Sequence, residues 1–350
     1  MIHYSCIGAT GYVCGEVLRM MVNHHEGELV NVLDTYGVGD AISTHHPALR
    51  GFYDQVIMDL TEENVRETAK KSDVIMIQVP SGDVAKWAEI VLAEDCAIID
   101  IGADIRFRDV DVWEKWYGQK HPDAKMTHDA VYCIPEVMRD LAKGKKLIAN
   151  PGCYPSSAIL GLYAAFKHGL ISPDNIVIDS KSGTSGAGRK PVVPSLFCEV
   201  YDTFRAYGLG KHRHTPEIEQ EFSRAAGCDV RVSFNPHLVP MVRGILSTIY
   251  TTLRKPGTTL DEVHAAYCET WAQSPWVRVL PKGKLPETRF VRGSMFCDLG
   301  LVVDPRTNRL IVVSAIDNLC RGASGQALAN ANLMCGLPVD CGLNAAPMLP

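Results

Sequence analysis

The longest apolar stretches in this 350-residue chain are only strand-length, so no transmembrane helix is expected. No run of lysine and arginine occurs either. With a formal net charge of −5 and a pI near 6.2, neither nucleic acid nor a membrane surface is an expected partner. The opening residues, Met1 to Gly8, lack a basic region and a full apolar one. They read as a first strand and not as a secretory signal. No C-x-x-C is present, and the nearest two of the twelve cysteines, Cys335 and Cys341, are six residues apart. Zinc-ligand spacing is therefore missing and no metal is expected. Most of the cysteines read as small buried thiols in a reducing, cytoplasmic compartment. Internal repeats and low-complexity tracts are absent too. What remains, 46% hydrophobic and 21% charged, is a globular composition long enough for two domains with cores of their own.

The first half alternates strands with helices. Residues 2–7 alternate and end at Gly8; Gly8-Ala9-Thr10-Gly11-Tyr12-Val13-Cys14-Gly15 follows, then a helical pattern from Glu16. Strand, glycine loop, helix is the setting of a dinucleotide-binding turn. Gly8 permits the tight turn, Gly11 lets the main chain approach a pyrophosphate, and the helix N-terminus holds it. The spacing departs from G-x-G-x-x-G. The second strand, 28–33, ends at Asp34-Thr35. An acid there favours NAD by bonding an adenosine ribose and repels the 2′-phosphate of NADP, whereas Thr35 could donate to that phosphate; both stay open. Residues 73–79 form a buried strand ahead of Pro80-Ser81-Gly82, 83–93 a helix, and 96–101 a strand leading to Asp104-Ile105-Arg106. Ligands in such sheets bind at the carboxyl ends of strands, which makes Arg106 a candidate anion contact. A polar, aromatic connection over 110–130 precedes a last short strand at 146–150.

Asn150-Pro151-Gly152-Cys153-Tyr154-Pro155 then sets a thiol in a Pro/Gly turn, ahead of a helical pattern over 156–168. Unpaired N–H groups and the positive end of a helix favour a thiolate there; the other reading is a buried structural cysteine. After a strand at 175–180, the run from Ser182 to Pro191 combines small residues, free N–H groups and the cations Arg189 and Lys190, a cradle for an anion. In His212-Arg213-His214-Thr215-Pro216-Glu217-Ile218, Thr215 is expected as N-cap and Pro216 as the first helical residue, with His214 just before them. Strands dominate from residue 230, at 230–234, 242–253, 277–280, 296–303 and 310–315, around one helix at 260–273. They predict a mixed or antiparallel sheet in a second, α+β domain. Asp317-Asn318 opens a helix of small residues over 321–328, which implies close packing against another element.

These motifs together resemble the N-acetyl-gamma-glutamyl-phosphate reductases of arginine biosynthesis, relatives of aspartate-semialdehyde dehydrogenase. The resemblance spans nearly the whole chain. It rests on G-A-T-G-Y at 8–12, D-I-G-A-D-I-R-F at 100–107, N-P-G-C-Y-P at 150–155, S-G-T-S-G-A-G-R at 182–189, H-R-H-T-P-E-I at 212–218, P-H-L-V-P-M at 236–241 and D-N-L-C-R-G at 317–322. It implies an α/β fold like that of glyceraldehyde-3-phosphate dehydrogenase. A Rossmann-type parallel-sheet domain takes residues 1–150 plus 317–350, and a catalytic and oligomerisation domain with a mixed sheet takes 151–316. The implied activity is NADP-dependent reductive dephosphorylation of an acyl phosphate through a cysteine thioester, with Cys153 as nucleophile and His214 as acid and base. The expected cofactor contacts are Gly8, Thr10, Gly11, Tyr12, Thr35, Pro80, Ser185, Gly186 and Asn318. Arg106, Arg189 and His212 are the expected substrate contacts. The partners implied are a small acyl-phosphate substrate and further copies of the chain, as a homodimer or homotetramer. Three positions depart from the family pattern: Cys14 replaces a loop glycine, Cys133 replaces another glycine, and Asp34 stands where NADP-preferring members carry small polar residues. Alternatives are a semialdehyde dehydrogenase acting on carrier-linked aminoadipyl phosphate or aspartyl phosphate, and a nucleotide-sensing regulator without catalysis.

Overall fold

The computed structural model describes residues 1–348. It divides into two compact units: Met1–Gly152 with Ala323–Ala345, and Cys153–Gly322 with residues 346–348. Residues 317–322 lie with the second unit, whereas the sequence reading groups all of 317–350 with the first.

The first unit is built on seven strands: β1 (Ile2–Ile7), β2 (Gly27–Asp34), β3 (Met58–Asp59), β4 (Val74–Ile77), β5 (Ala97–Asp100), β6 (Val131–Tyr132) and β7 (Leu147–Ala149). Their order is β3-β2-β1-β4-β5-β7-β6, and every pairing is parallel. Val74-Ile75-Met76-Ile77 and Ala97-Ile98-Ile99-Asp100 are buried at every residue. Apolar runs without alternation suit strands covered on both faces. The helices are α1 (Tyr12–Met21), α2 (Ile42–His45), α3 (Glu62–Ala69), α4 (Val84–Ala93), α5 (Val110–Tyr117), α6 (Ala124–Asp129) and α7 (Pro135–Ala142). α1 turns Val17, Leu18 and Met21 inward, the spacing of one helical face. β2 flanks β1 on one side and β4 on the other, so the winding reverses between β1 and β4. The crevice at the carboxyl ends of those strands is where a doubly wound sheet takes its ligand.

The second unit holds β8 (Ile176–Ser182), β9 (Arg205–Ala206), β10 (Val232–Leu238), β11 (Ile245–Thr252), β12 (Val277–Val279), β13 (Cys297–Asp304) and β14 (Arg309–Ile316). The order is β12-β13-β14-β11-β8-β10-β9. β8 with β10 and β12 with β13 are parallel, and the remaining pairings antiparallel, so the sheet is mixed. β8 and β11 alternate buried and half-buried residues, as strands covered on one face do. That covered face receives α8 (Cys153–Lys167), flanked by α10 (Thr215–Ala226) and α11 (Leu260–Trp271); α9 (Phe197–Val200) is a single turn. Ser157 of α8 is fully buried and hydrogen-bonds with Ser247 and Ser314 of the sheet, at 2.9 and 3.1 Å. The chain then returns to the first unit with α12 (Gly325–Met334). Every residue from Gly325 to Leu333 is buried, and the small side chains admit it against α1, α7 and β5. Among the described residues, no helix is long and apolar enough to cross a membrane.

Candidate active site

In the first unit the glycine loop joins β1 to α1 at the winding reversal. Gly8 has φ +94°, and a Cβ there would stand 2.3 Å from the carbonyl oxygen of Gln78. A side chain is excluded on both counts. Gly11 is the N-cap of α1 and no side chain caps the helix, a bare N-terminus that suits a diphosphate. Tyr12 follows as the first helical residue. Thr10 is fastened by Asp34, whose Oδ2 accepts both its N–H and its hydroxyl at 2.8 Å. The other oxygen of Asp34 accepts the N–H groups of Thr35 and Tyr36, at 2.7 and 3.3 Å. Asp34 is therefore a structural tie of the loop, a role no local pattern announces. Pro80 lies in the turn after β4, where Asp104 accepts the N–H groups of Gly82 and Val84 at the start of α4, at 2.8 and 3.3 Å. Arg106 is 6% exposed. It donates to the carbonyls of Asn150 and Ile101, at 2.8 and 3.0 Å, and so braces the strand end that precedes the thiol turn. It is not an open surface cation.

In the second unit a cavity of about 330 Å³ gathers Cys153, Tyr154, Ser182, Gly183, Gly186, Ala187, Arg205, Tyr207, His212 and His214 on its walls. Cys153 is the first residue of α8, three residues ahead of the expected helix start, and is half-buried. Gly322 lies against it: a Cβ there would fall 2.7 Å from that of Cys153. His214 is itself the N-cap of α10, because its carbonyl accepts the Ile218 N–H at 3.1 Å; Thr215 and Pro216 are the first two helical residues. The helix thus starts one residue earlier than the Thr-Pro pair suggests. The N–H of His214 donates to His212 Nδ1 at 3.1 Å, which requires a lone pair on that nitrogen. Burial, followed by the neighbouring Arg213 charge, pushes His212 down to about 4, so the ring is neutral at ordinary pH. Its edges pack against Tyr154, Tyr207 and Phe234. Tyr154 and Tyr207 share a hydroxyl hydrogen bond of 2.8 Å, and burial raises both phenols, Tyr207 to about 12.

The glycine-rich run after β8 differs from the open anion cradle expected of it. It turns as a short helix over Thr184–Ala187. The N–H groups of Gly183, Thr184 and Ser185 donate to the carbonyls of Gly244, Met241 and Val242, at 2.9 to 3.1 Å. Pairing with the segment before β11, which no local pattern reveals, is the reason. Asn318 locks the same run: its Oδ1 accepts the Gly244 N–H at 2.7 Å and its Nδ2 donates to Ser185 Oγ at 3.0 Å. Ser185, Gly186 and Asn318 are thus brought together in the second unit, and Gly8, Thr10, Gly11, Tyr12 and Thr35 in the first. Arg189 is exposed beyond the cavity-lining Ala187. The cation on the cavity wall is Arg205, which donates to the carbonyls of Glu199 and Pro194. Arg205 and Tyr207 escaped the sequence reading, since only the pairing of β9 with β10 puts them there. Among the described residues no group of three or more His, Cys, Asp or Glu is arranged to hold a metal ion.

Residues 5–145 match the family model of the semialdehyde dehydrogenase NAD binding domain, and residues 153–318 that of the semialdehyde dehydrogenase dimerisation domain. The first unit is accordingly a nicotinamide-dinucleotide-binding domain. Among solved structures, aspartate semialdehyde dehydrogenase II from Vibrio cholerae, complexed with ASA, is similar with a TM-score of 0.72, covering 95% of this chain and 98% of that one at 15% identity. The aspartate semialdehyde dehydrogenase with NADP from Candida albicans has a TM-score of 0.66 over the same shares at 14% identity. Those likenesses establish the fold. A protein from Geobacter sulfurreducens named N-acetyl-gamma-glutamyl-phosphate reductase is 47% identical over 100% of both chains. One of the same name from Moorella thermoacetica is 45% identical, again over 100% of both. The chain belongs to the N-acetyl-gamma-glutamyl-phosphate reductase family.

Proposed function

We propose that the chain reduces N-acetyl-L-glutamyl 5-phosphate to N-acetyl-L-glutamate 5-semialdehyde with release of phosphate, the step its relatives' name describes, in arginine biosynthesis. The observation that carries this reading is a thiol on the first turn of a helix, sharing one cavity with His214 and Arg205. An acyl phosphate is an activated carboxyl. The Cys153 thiolate attacks its carbonyl carbon, the C–O bond to phosphate breaks, and a thioester forms. The N–H groups in the first turn of α8 would hold the oxyanion of that addition. Gly8, Gly11 and the start of α1 would hold the diphosphate of a reduced nicotinamide dinucleotide, which would supply the hydride that converts the thioester to a thiohemiacetal. His214 gives the proton to the hemiacetal oxygen and takes it back as the carbon–sulfur bond breaks, leaving aldehyde and thiolate. His212, neutral and bonded to the main chain of His214, positions it. Arg205 meets an anionic end of the substrate, with Arg189 at the rim.

Gly8, Gly11 and the bare start of α1 fit a dinucleotide diphosphate, and Thr10, Tyr12, Thr35 and Pro80 lie in the same unit. For the hydride donor, the family resemblance implies NADPH, while Asp34 weighs toward NADH. The same reading carries a homodimer or homotetramer built through the second unit, in the cytoplasm. The test is turnover of the free acyl phosphate by the wild type and Cys153→Ser. The wild type is expected to turn over the free substrate in preference to a carrier-linked aminoadipyl phosphate. A Cys153→Ser protein with near-full activity contradicts the reading.

A further inference from the structure

The end of β2 combines three features that the shared reaction does not require. Asp34 stands where an acid in this fold faces the adenosine ribose. Its two oxygens already accept four hydrogen bonds, from Thr10 N–H, Thr10 hydroxyl, Thr35 N–H and Tyr36 N–H, which is the whole lone-pair capacity of a carboxylate. The carboxylate is thus fixed in place with or without a cofactor hydroxyl. Secondly, the neighbouring charge is of the same sign. Asp59 is the register partner of Asp34 across β2 and β3, and Asp40 follows six residues later. Thirdly, residues 34–49 contain no lysine or arginine. The two histidines of that segment are engaged: His45 Nε2 with Asp40 at 2.9 Å, and His46 Nε2 with the Ala9 carbonyl at 2.8 Å.

A 2′-phosphate set here would meet a fixed carboxylate, with no cation in the segment to offset it. A plain ribose would meet hydroxyl partners, Thr10 and the exposed Thr35. We propose that Asp34 has two tasks, holding the diphosphate loop through Thr10 and excluding the 2′-phosphate by its charge, so that this chain selects NADH over NADPH. The proposal runs against the preference the resemblance implies, and it rests on the reading of the first unit as the nicotinamide-dinucleotide site. Like charges brought together at a binding surface cost enough to separate two ligands by on the order of tenfold or more.

The test is equilibrium binding to the full chain, by calorimetry or intrinsic fluorescence, with NADH and NADPH in turn. The wild type is expected to bind NADH at least about tenfold more tightly. Thr35→Arg adds a cation and leaves all four bonds to Asp34 in place, since residue 35 contributes through its main chain. It is expected to tighten NADPH by about tenfold and to weaken NADH by a smaller factor, through the lost Thr35 hydroxyl, so that the gap between the two closes or reverses. Asp34→Ser is expected to weaken NADH, through the loosened loop, and to narrow the gap between the two. Wild-type protein that binds NADPH as tightly as NADH, or more tightly, overturns the proposal alone. Binding of neither nucleotide overturns both the proposal and the reading beneath it.

Discussion

The junction from β1 to α1 and the junction from β7 to α8 are both strand, turn, helix, and they differ in what they leave bare. At the first, Gly8 and Gly11 strip side chains away, so that main-chain N–H groups and the start of α1 form the surface. At the second, the first helical residue is Cys153, the reagent of the proposed mechanism, and it is another part of the chain, Gly322, that gives up a side chain to seat it. In the proposed reading, one junction recognises a diphosphate by shape and dipole; the other places a single sulfur atom. A loop that works through its main chain depends on a distant tie, Asp34. A loop that works through one side chain depends on the walls around that side chain, which here are His212, His214, Tyr154 and Tyr207.

That contrast predicts unequal damage. Cys153→Ser should cost the largest factor, roughly 10⁵-fold or more in kcat/KM, the scale of losing a nucleophile. Secondary-structure content should stay unchanged by circular dichroism. His214→Gln should lower kcat by about 10²–10⁴-fold with a small change in KM, the range of one proton-transfer group, and a steady-state pH profile should lose a limb. Gly322→Ala tests the seat of the thiol: the added methyl overlaps Cys153 and should cost about 1–3 kcal/mol in urea unfolding, with a fall in kcat and no change in dinucleotide affinity. If cofactor binding suffers equally, the two junctions are not separable as drawn. Arg205→Ala should raise KM by about tenfold, the worth of one charge-assisted hydrogen bond, and leave kcat within a small factor.

The smallest effects are in stability against pH, where the two units differ in sign. In the first unit, burial and then the nearby Asp104 raise Asp100 to about 7. The folded chain holds that proton where the unfolded chain, near 3.9, has lost it. The stabilising contribution is therefore complete below about 4 and disappears as pH rises through 7. In the second unit His212 falls to about 4 against an unfolded value near 6.5. Its contribution is present above about 6.5 and lost as pH falls toward 4. Urea midpoints between pH 4 and 7.5 should show Asp100→Asn removing the loss of stability on raising pH, and His212→Asn removing the loss on lowering it. Slopes of the same sign for both variants contradict the assignment.

What could be seen in advance was local. The glycine loop, the thiol turn and the histidine pair each lie within eight residues, and the strand–helix alternation by itself points to a parallel sheet. What could not be seen depended on partners far along the chain. Asp34 reads as a ribose contact until Thr10, twenty-four residues back, is found bonded to it. The N–H groups of 183–185 read as free until the 241–244 segment pairs with them. Arg205 and Tyr207 sit on or beside a two-residue strand that owes its existence to β10. Short strands of that kind have no periodicity of their own to announce them.

The central claim, that Cys153 carries the acyl group, is tested most directly in the reverse direction without phosphate. Purified protein is mixed with N-acetyl-L-glutamate 5-semialdehyde and oxidised nicotinamide dinucleotide. Reduced cofactor is followed by absorbance, and the digested chain by mass spectrometry. A burst of one equivalent of reduced cofactor per active site is expected. One N-acetylglutamyl group should appear on the peptide holding Cys153, and phosphate or hydroxylamine should release it. A burst with the acyl group on another residue, or steady turnover with no acylated peptide, contradicts it.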